Sequence, residues 1–288
     1  MKPQTRSRRR SLLRVTIAVV VAAVLVFAGY SYAETYRLEV KGYTYSGGDV
    51  PPAFDGLRIA FVTDIHRSGF FRQGRVERIV GRVNALAPDL ILLGGDYVYG
   101  GTDYEDDCFQ ALARLRAPLG VFAALGNHDY GAYDKNGKDL APVYAAARSA
   151  GITLLRNEGL WLHKGEARLR LAAVADLQED LPDLAPAIDD AKPGDLAILV
   201  SHNPDYAEQL PPGAVDLVLA GHTHGGQVTF FGLWAPYLPS DYGQKYRTGA
   251  VSVNGATVIV SNGVGIIFPP LRFFARPQIV VVTLDRTP

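Results

Sequence analysis

The 288-residue chain is short of cysteine, of net charge and of repeats, and each shortage removes a class of protein. Its single cysteine, Cys108, excludes an internal disulfide and a cysteine-rich zinc site. Lys plus Arg and Asp plus Glu both number 29, but they are unevenly placed. Residues 1–33 hold no acidic side chain and six basic ones, Lys2, Arg6, Arg8, Arg9, Arg10 and Arg14. The remaining 255 residues therefore carry 23 basic against 29 acidic groups, a net charge of −6. A nucleic-acid-binding body would present a basic surface, so nucleic acid is not an expected partner. No internal repeat and no long linker interrupt the chain. With 48% hydrophobic residues, it suits one globular domain of ordinary core size and not a disordered or fibrous protein.

What the sequence does contain begins with a 19-residue run, 15–33, free of charge. As a helix rising 1.5 Å per residue it matches a hydrocarbon core about 30 Å thick. All the basic charge precedes it, so the positive-inside rule leaves the N-terminus in the cytoplasm and carries the body across. The expected location is the cell membrane, with the body extracytoplasmic. Ser7-Arg8-Arg9-Arg10-Ser11-Leu12 fits a twin-arginine export signal, and Ser31-Tyr32-Ala33 places small residues where a signal peptidase cuts. Anchor and cleaved leader both stay open. The organisation read from this is an export signal or anchor at 1–33, a lead-in at 34–56 and one domain at 57–288.

Beyond the lead-in, short apolar runs each end on a polar residue. Residues 57–63 precede Asp64, 90–93 precede Gly94-Gly95-Asp96, and 121–125 precede Gly126-Asn127-His128-Asp129. Residues 169–175 precede Asp176, 196–200 precede Ser201-His202, and 217–220 precede Gly221-His222-Thr223-His224. These runs read as buried strands. Helical faces fall between them: Val76, Ile79, Val80, Val83 and Leu86, then Phe109, Leu112 and Leu115 behind the acidic turn Glu105-Asp106-Asp107. A third helix is expected over 140–150, with Gly151 as its cap. Strand–helix alternation predicts a layered α/β fold whose ligand sites lie beyond the strands' carboxyl ends. After residue 225 the runs 256–261 and 278–284 suggest a second, more antiparallel sheet.

Five of the six histidines, His66, His128, His202, His222 and His224, follow strand ends beside Asp or Asn, whereas His163 stands apart. Five on one edge is hard to explain as packing. Imidazole mixed with carboxylate and amide oxygen suits Mn, Fe, Ni or Zn better than Ca or Mg. A centre of two divalent ions follows. It would make a positive spot in an acidic body and draw an anionic substrate such as phosphate.

Asp64-Ile65-His66, Gly94-Gly95-Asp96, Gly126-Asn127-His128-Asp129, His202 and Gly221-His222-Thr223-His224 resemble, in order, the five blocks of the calcineurin-like metallophosphoesterases. The resemblance spans 57–284. Gly225-Gly226-Gln227, the N-terminal segment and the stretch 263–273 are similar to the bacterial membrane-associated branch. The resemblance implies a sandwich of two mixed β-sheets flanked by α-helices, four layers in all. It further implies that Asp64, His66 and His224 hold one metal, that Asn127, His202 and His222 hold the other, and that Asp96 bridges them. A hydroxide activated by the two ions would then attack phosphorus in line. His128 is expected to be no ligand but a general acid or transition-state stabiliser, with Asp129 orienting its ring. In the loop after the first block, Arg67 is a candidate for a phosphate oxygen.

The implied activity is hydrolysis of phosphoric esters, a phosphodiester first. A pyrophosphate hydrolase acting on a nucleotide-linked lipid precursor of the UDP-diacylglucosamine type, or a non-catalytic phosphate-binding member, stand as alternatives. Two aromatic-rich loops, 230–238 and 266–274, suggest an apolar rim and a lipid- or wall-linked substrate at the membrane.

Overall fold

The computed structural model describes residues 3–100, 104–131 and 139–287. Along the chain run α1 (Pro3–Glu34), β1 (Glu39–Gly47), β2 (Arg58–Val62), α2 (Gln73–Ala85), β3 (Leu90–Leu93), α3 (Glu105–Leu112), β4 (Val121–Ala123), α4 (Ala141–Ser149), β5 (Thr153–Leu154), β6 (Glu158–Lys164), β7 (Ala167–Ala173), α5 (Ala185–Ile188), β8 (Ala197–Val200), β9 (Leu217–Ala220), β10 (Gly249–Val253), β11 (Ala256–Val260) and β12 (Gln278–Arg286). β3, β8 and β9 are apolar at every position, and β2 is so after Arg58, because both faces are covered. In β2, Ile59 and Phe61 enter one core while Ala60 and Val62 enter another, and β3 divides Leu90 and Leu92 from Ile91 and Leu93 in the same way.

Two six-stranded mixed sheets result, ordered β1-β12-β2-β3-β4-β5 and β10-β11-β9-β8-β7-β6. The first is parallel from β2 to β5, and the second is parallel through β7, β8, β9 and β11 with antiparallel edges β6 and β10. Ile198, Val200, Leu217 and Leu219 of the second sheet meet β2 and β3 of the first in the core between them. On the outer face of the first sheet, α2 buries Val76, Ile79, Val80 and Val83, and α3 buries Phe109 and Leu112. α4 ends as expected: Gly151 at φ 71° lets Ile152 N–H reach back to the Ala147 carbonyl. The other outer face packs α5 and the 3₁₀ turn Pro204–Gln209 through Ala187, Tyr206 and Ala207. This is the four-layer α/β sandwich.

Two expectations about strands need correction. Residues 278–284 do not join a second antiparallel sheet: β12 lies in the first sheet, antiparallel to β2 and parallel to β1. The second sheet is centred on β7, β8 and β9, all before residue 225, and only β10 and β11 follow that point. The lead-in is likewise no mere approach, because its residues 39–47 form β1 and pair with β12 along their whole length.

α1 stands apart from these layers. Most of it faces outward, Leu12, Val15, Val19, Leu25 and Val26 among its exposed side chains, and among the described helices it is the one long and apolar enough to cross a membrane. Its last turns are held by the body, where Ser31 and Glu34 are fully buried.

Candidate metal centre

The carboxyl ends of β2, β3, β8 and β9 converge, as parallel strands in an open α/β sheet require, and the loops leaving them supply the polar cluster. Asp64 and His66 follow β2, Asp96 follows β3, Asn127 and His128 sit on a 3₁₀ turn after β4, His202 follows β8, and His222 and His224 follow β9. All eight are buried. Five of them, Asp64, His66, Asp96, His222 and His224, have φ between 50° and 68°. Left-handed backbone costs a non-glycine residue about 1 kcal/mol or more, so the loops are held strained to aim these side chains. Glycine makes the close approach possible: a Cβ on Gly126 would strike Asp96 and His202, and one on Gly221 would strike Asp64.

The donor atoms face one another. The ligand atoms of Asp64, His66 and His224 all lie within 4.8 Å of each other, as do those of Asp64, Asp96 and His202. His66 Nε2 and His224 Nε2 are 2.9 Å apart in rings stacked at 21°. Asp96 Oδ2 lies 3.4 Å from His66 Nε2 and 3.2 Å from His202 Nε2, between the two halves. His222 Nδ1 meets Asn127 Oδ1 at 3.1 Å, and its Nε2 is buried with no hydrogen-bond partner among the described residues. The remaining ring nitrogens are fixed from behind: His202 Nδ1 by the Gly94 carbonyl at 2.7 Å and His66 Nδ1 by that of Val98 at 3.3 Å.

Electrostatics follow the same layout. Burial lowers His66 and His222 to about 3 and pushes His224 and His128 down too, so these imidazoles are neutral and offer lone pairs. His202 is the exception: burial opposes its charge, but the Asp96 carboxylate outweighs burial and keeps the ring protonated. Asp96 is held well below its ordinary value, with the histidines overcoming burial, whereas burial raises Asp64 to about 6. Neutral histidine nitrogens, two carboxylates and a proton wedged between Asp96 and His202 form a donor set that divalent cations fit, the cations taking the place of that proton.

Three assignments move. Asp129 does not orient the His128 ring: its Oδ2 accepts from Asp96 and Gly126 N–H, and its Oδ1 from Tyr97 N–H, at 2.8 to 2.9 Å. It fastens the Asp96 loop to the His128 turn. The ring lying on His128 is Tyr99, 5.1 Å away at 38°. Arg67 is not turned toward a phosphate site, because its guanidinium pairs with Asp107 at 2.8 Å and stacks on Tyr104. His128 also comes nearer the expected ligands than foreseen, since its ring nitrogen lies within 4.8 Å of the donor atoms of His66 and Asp96.

Sequence reasoning missed two participants: Asp176, which ends an apolar strand as the others do but fits none of the five blocks, and Arg272. Asp176 is buried, and its carboxylate acts electrostatically on both His202 and Asp96. Arg272 is fully buried, with Nη1 3.3 Å from the His224 carbonyl and Nη2 3.4 Å from His224 Nδ1, and it also binds the carbonyls of Asn262 and Gly265. An arginine within a Pro- and Phe-rich stretch gives no sign of such burial.

Above the cluster lies a cleft of about 440 Å³. Asp96, Asn127, His128, His222 and His224 form its floor, while Tyr237, Ile267 and Phe268 form part of its rim. A polar, cation-ready floor under an open cleft defines a metal-dependent hydrolase. The chain belongs to the calcineurin-like phosphoesterase family, whose model matches residues 57–226, and it is a phosphoester hydrolase with a dinuclear divalent metal centre. It is similar to the uncharacterized metallophosphoesterase YkuE of Bacillus subtilis (strain 168), at 32% identity over 291 residues and 98% of each chain. It is also similar to the phosphodiesterase YaeI of Escherichia coli (strain K12), at 27% identity over 96% of this chain and 99% of that one. A third relative, a Danio rerio transmembrane protein with metallophosphoesterase domain, is 27% identical over 96% of this chain and 64% of its own length.

Proposed function

We propose that the chain hydrolyses phosphodiesters at the extracytoplasmic face of a membrane to which α1 anchors it. The observation that carries the chemistry is the buried cluster in which Asp96 Oδ2 sits between His66 and His202. We assign Asp64, His66 and His224 to one ion, Asn127, His202 and His222 to the other, and Asp96 to both. Bound there, two divalent ions supply Lewis acidity and a water acidic enough to act at neutral pH. The chain's own contribution is orientation and stabilisation of the leaving oxygen. Gly94 and Val98 carbonyls lock His202 and His66, and Asp129 fixes the spacing of the Asp96 loop from the His128 turn. His128, neutral on the cleft floor beside Tyr99, stabilises the transition state by hydrogen-bonding the leaving oxygen as charge builds on it.

A diester is favoured over a monoester by the half-apolar rim, which accommodates a second ester substituent. YaeI is named a phosphodiesterase, which agrees with this. The exposed aromatics of the two rim-forming loops support a lipid- or wall-linked substrate. Retention of α1 is supported by its foot: Ser31 is fully buried and still helical, and Glu34 Oε1 accepts from Ala275 N–H at 3.0 Å, so a cut after Ala33 would sever packed structure. The basic segment before the span supports the outward orientation.

The test is a substrate comparison with the full chain in detergent and manganese: a soluble aryl phosphodiester, the matching monoester and a lipid-linked diester. The diester turns over faster than the monoester, and the lipid-linked substrate faster than both. A monoester preference removes the diester assignment, and equal rates on soluble and lipid diesters remove the lipid one.

A further inference from the structure

We propose that the body docks on an anionic phospholipid bilayer through an aromatic wedge built from residues 230–234 and 268–274 around the foot of α1, placing the mouth of the cleft at headgroup level. The inference rests on α1 as a membrane anchor, and does not depend on which ester is cleaved.

The anchor is not a loose tether. Arg272 N–H donates to the Ser31 carbonyl at 3.1 Å, and the Phe273 ring lies 4.8 Å from Phe27 and 5.4 Å from Tyr30. Phe274 packs on Tyr30 at 5.6 Å and carries Phe231 at 5.3 Å. Contacts with the body thus extend from Glu34 back to Phe27, roughly 10 Å of helix axis. The uncharged run ends at Ala33 and needs nearly all its length to cross a core about 30 Å thick. Loops that climb the helix as far as Phe27 therefore lie at or below the headgroup boundary.

What those loops display suits that level. Phe231 is 72% exposed, Leu233 81%, Phe268 71% and Trp234 48%, a concentration of bare apolar groups that water disfavours and the interface favours. Guanidinium groups surround the foot: Arg37 lies over Tyr30, and Arg75 and Arg78 lie over Tyr36. Arginines set just outside an aromatic belt meet anionic lipid phosphates, a complementarity that selects a bilayer as the occupant. Phe268 belongs both to the wedge and to the rim of the cleft, so docking the one positions the other.

The chain has two tryptophans, and they report on opposite places: Trp234 in the wedge, and Trp161 on edge strand β6, bonded to Asp190. The full chain is reconstituted into phosphatidylglycerol–phosphatidylethanolamine vesicles with acyl chains brominated near the headgroup. With Trp161→Phe, the remaining Trp234 emission falls about twofold against unbrominated vesicles. With Trp234→Phe, the remaining emission does not change. Adding Phe231→Asp and Leu233→Asp to Trp161→Phe removes the quenching while the chain still floats with the vesicles. Trp234 emission indifferent to bromine overturns the docking, whether aqueous iodide reaches the ring or a second copy of the chain covers it. Failure of the chain to float removes the anchor, and the docking with it, which separates the two readings.

Discussion

Two regions of this molecule break the rule that polar groups face water and apolar groups avoid it, and they break it in opposite directions. The polar cluster buries two carboxylates and five imidazoles, five of these seven residues on strained backbone, with His222 Nε2 lacking a hydrogen-bond partner among the described residues. The α1 helix and the loops around its foot expose valine, leucine and phenylalanine. Neither arrangement lowers the free energy of an isolated chain in water. A component outside the polypeptide accounts for each: divalent cations for the first and, on the proposal above, lipid for the second. Together they teach that function is most visible where folding alone would have chosen otherwise.

The comparison is broken most severely at Asp96. Asp96→Ala removes the carboxylate proposed to bridge both ions, so the variant loses measurable hydrolysis and binds fewer ions by elemental analysis; retained activity would show that the halves are not coupled through it. His128→Ala is expected to lower kcat about 10²- to 10³-fold with both ions retained, the effect of losing a positioned hydrogen bond to the leaving oxygen. Loss of an ion instead would make His128 a ligand. Asp129→Asn, which sets an amide among three backbone N–H donors, lowers metal affinity or activity about 10- to 100-fold through the loops it fastens. An unchanged metal titration would reduce Asp129 to a bystander.

The smallest effect marks the contrast with a buried acid outside the cluster. Glu105, at the start of α3, has both carboxyl oxygens buried with no hydrogen-bond partner among the described residues, and burial, with Asp106 and Asp139 nearby, raises it to about 7. A carboxyl that holds its proton more tightly when folded loses stability as pH rises from its ordinary 4.5 through the folded value. Relative to the parent, Glu105→Gln should gain roughly 1–2 kcal/mol in urea unfolding at pH 8 over pH 5, the range discounted for solvent screening. The same difference at both pH values contradicts the assignment.

Much of the cluster was legible because its code is local. An apolar strand ending in Asp-Ile-His or Gly-Asn-His-Asp delivers polar side chains to a sheet edge whatever its neighbours are, and Asp64, His66, Asp96, Asn127, His202, His222 and His224 lie together in the structure. What failed was nonlocal. The sheet that β12 joins depends on pairing with β1 across more than 200 residues, and β1, half-exposed at an edge, lacks the apolar run that announces a strand. Adjacency misled at Asp129, whose backbone follows His128 while its side chain turns to Asp96, Tyr97 and Gly126. Arg67 misled in the same way, since nothing near it in sequence reveals Asp107 and Tyr104. Arg272 could be found only by asking which carbonyls lie beneath the strained loops.

The central claim is that the buried polar cluster is a two-ion site on which hydrolysis depends. It is tested most directly by elemental analysis of the full chain alongside its rate on a soluble aryl phosphodiester, before chelation, after chelation and after reloading with manganese. The account predicts two ions per chain, loss of both ions and of turnover in chelator, and return of both on reloading. Undiminished turnover by metal-free protein would contradict it.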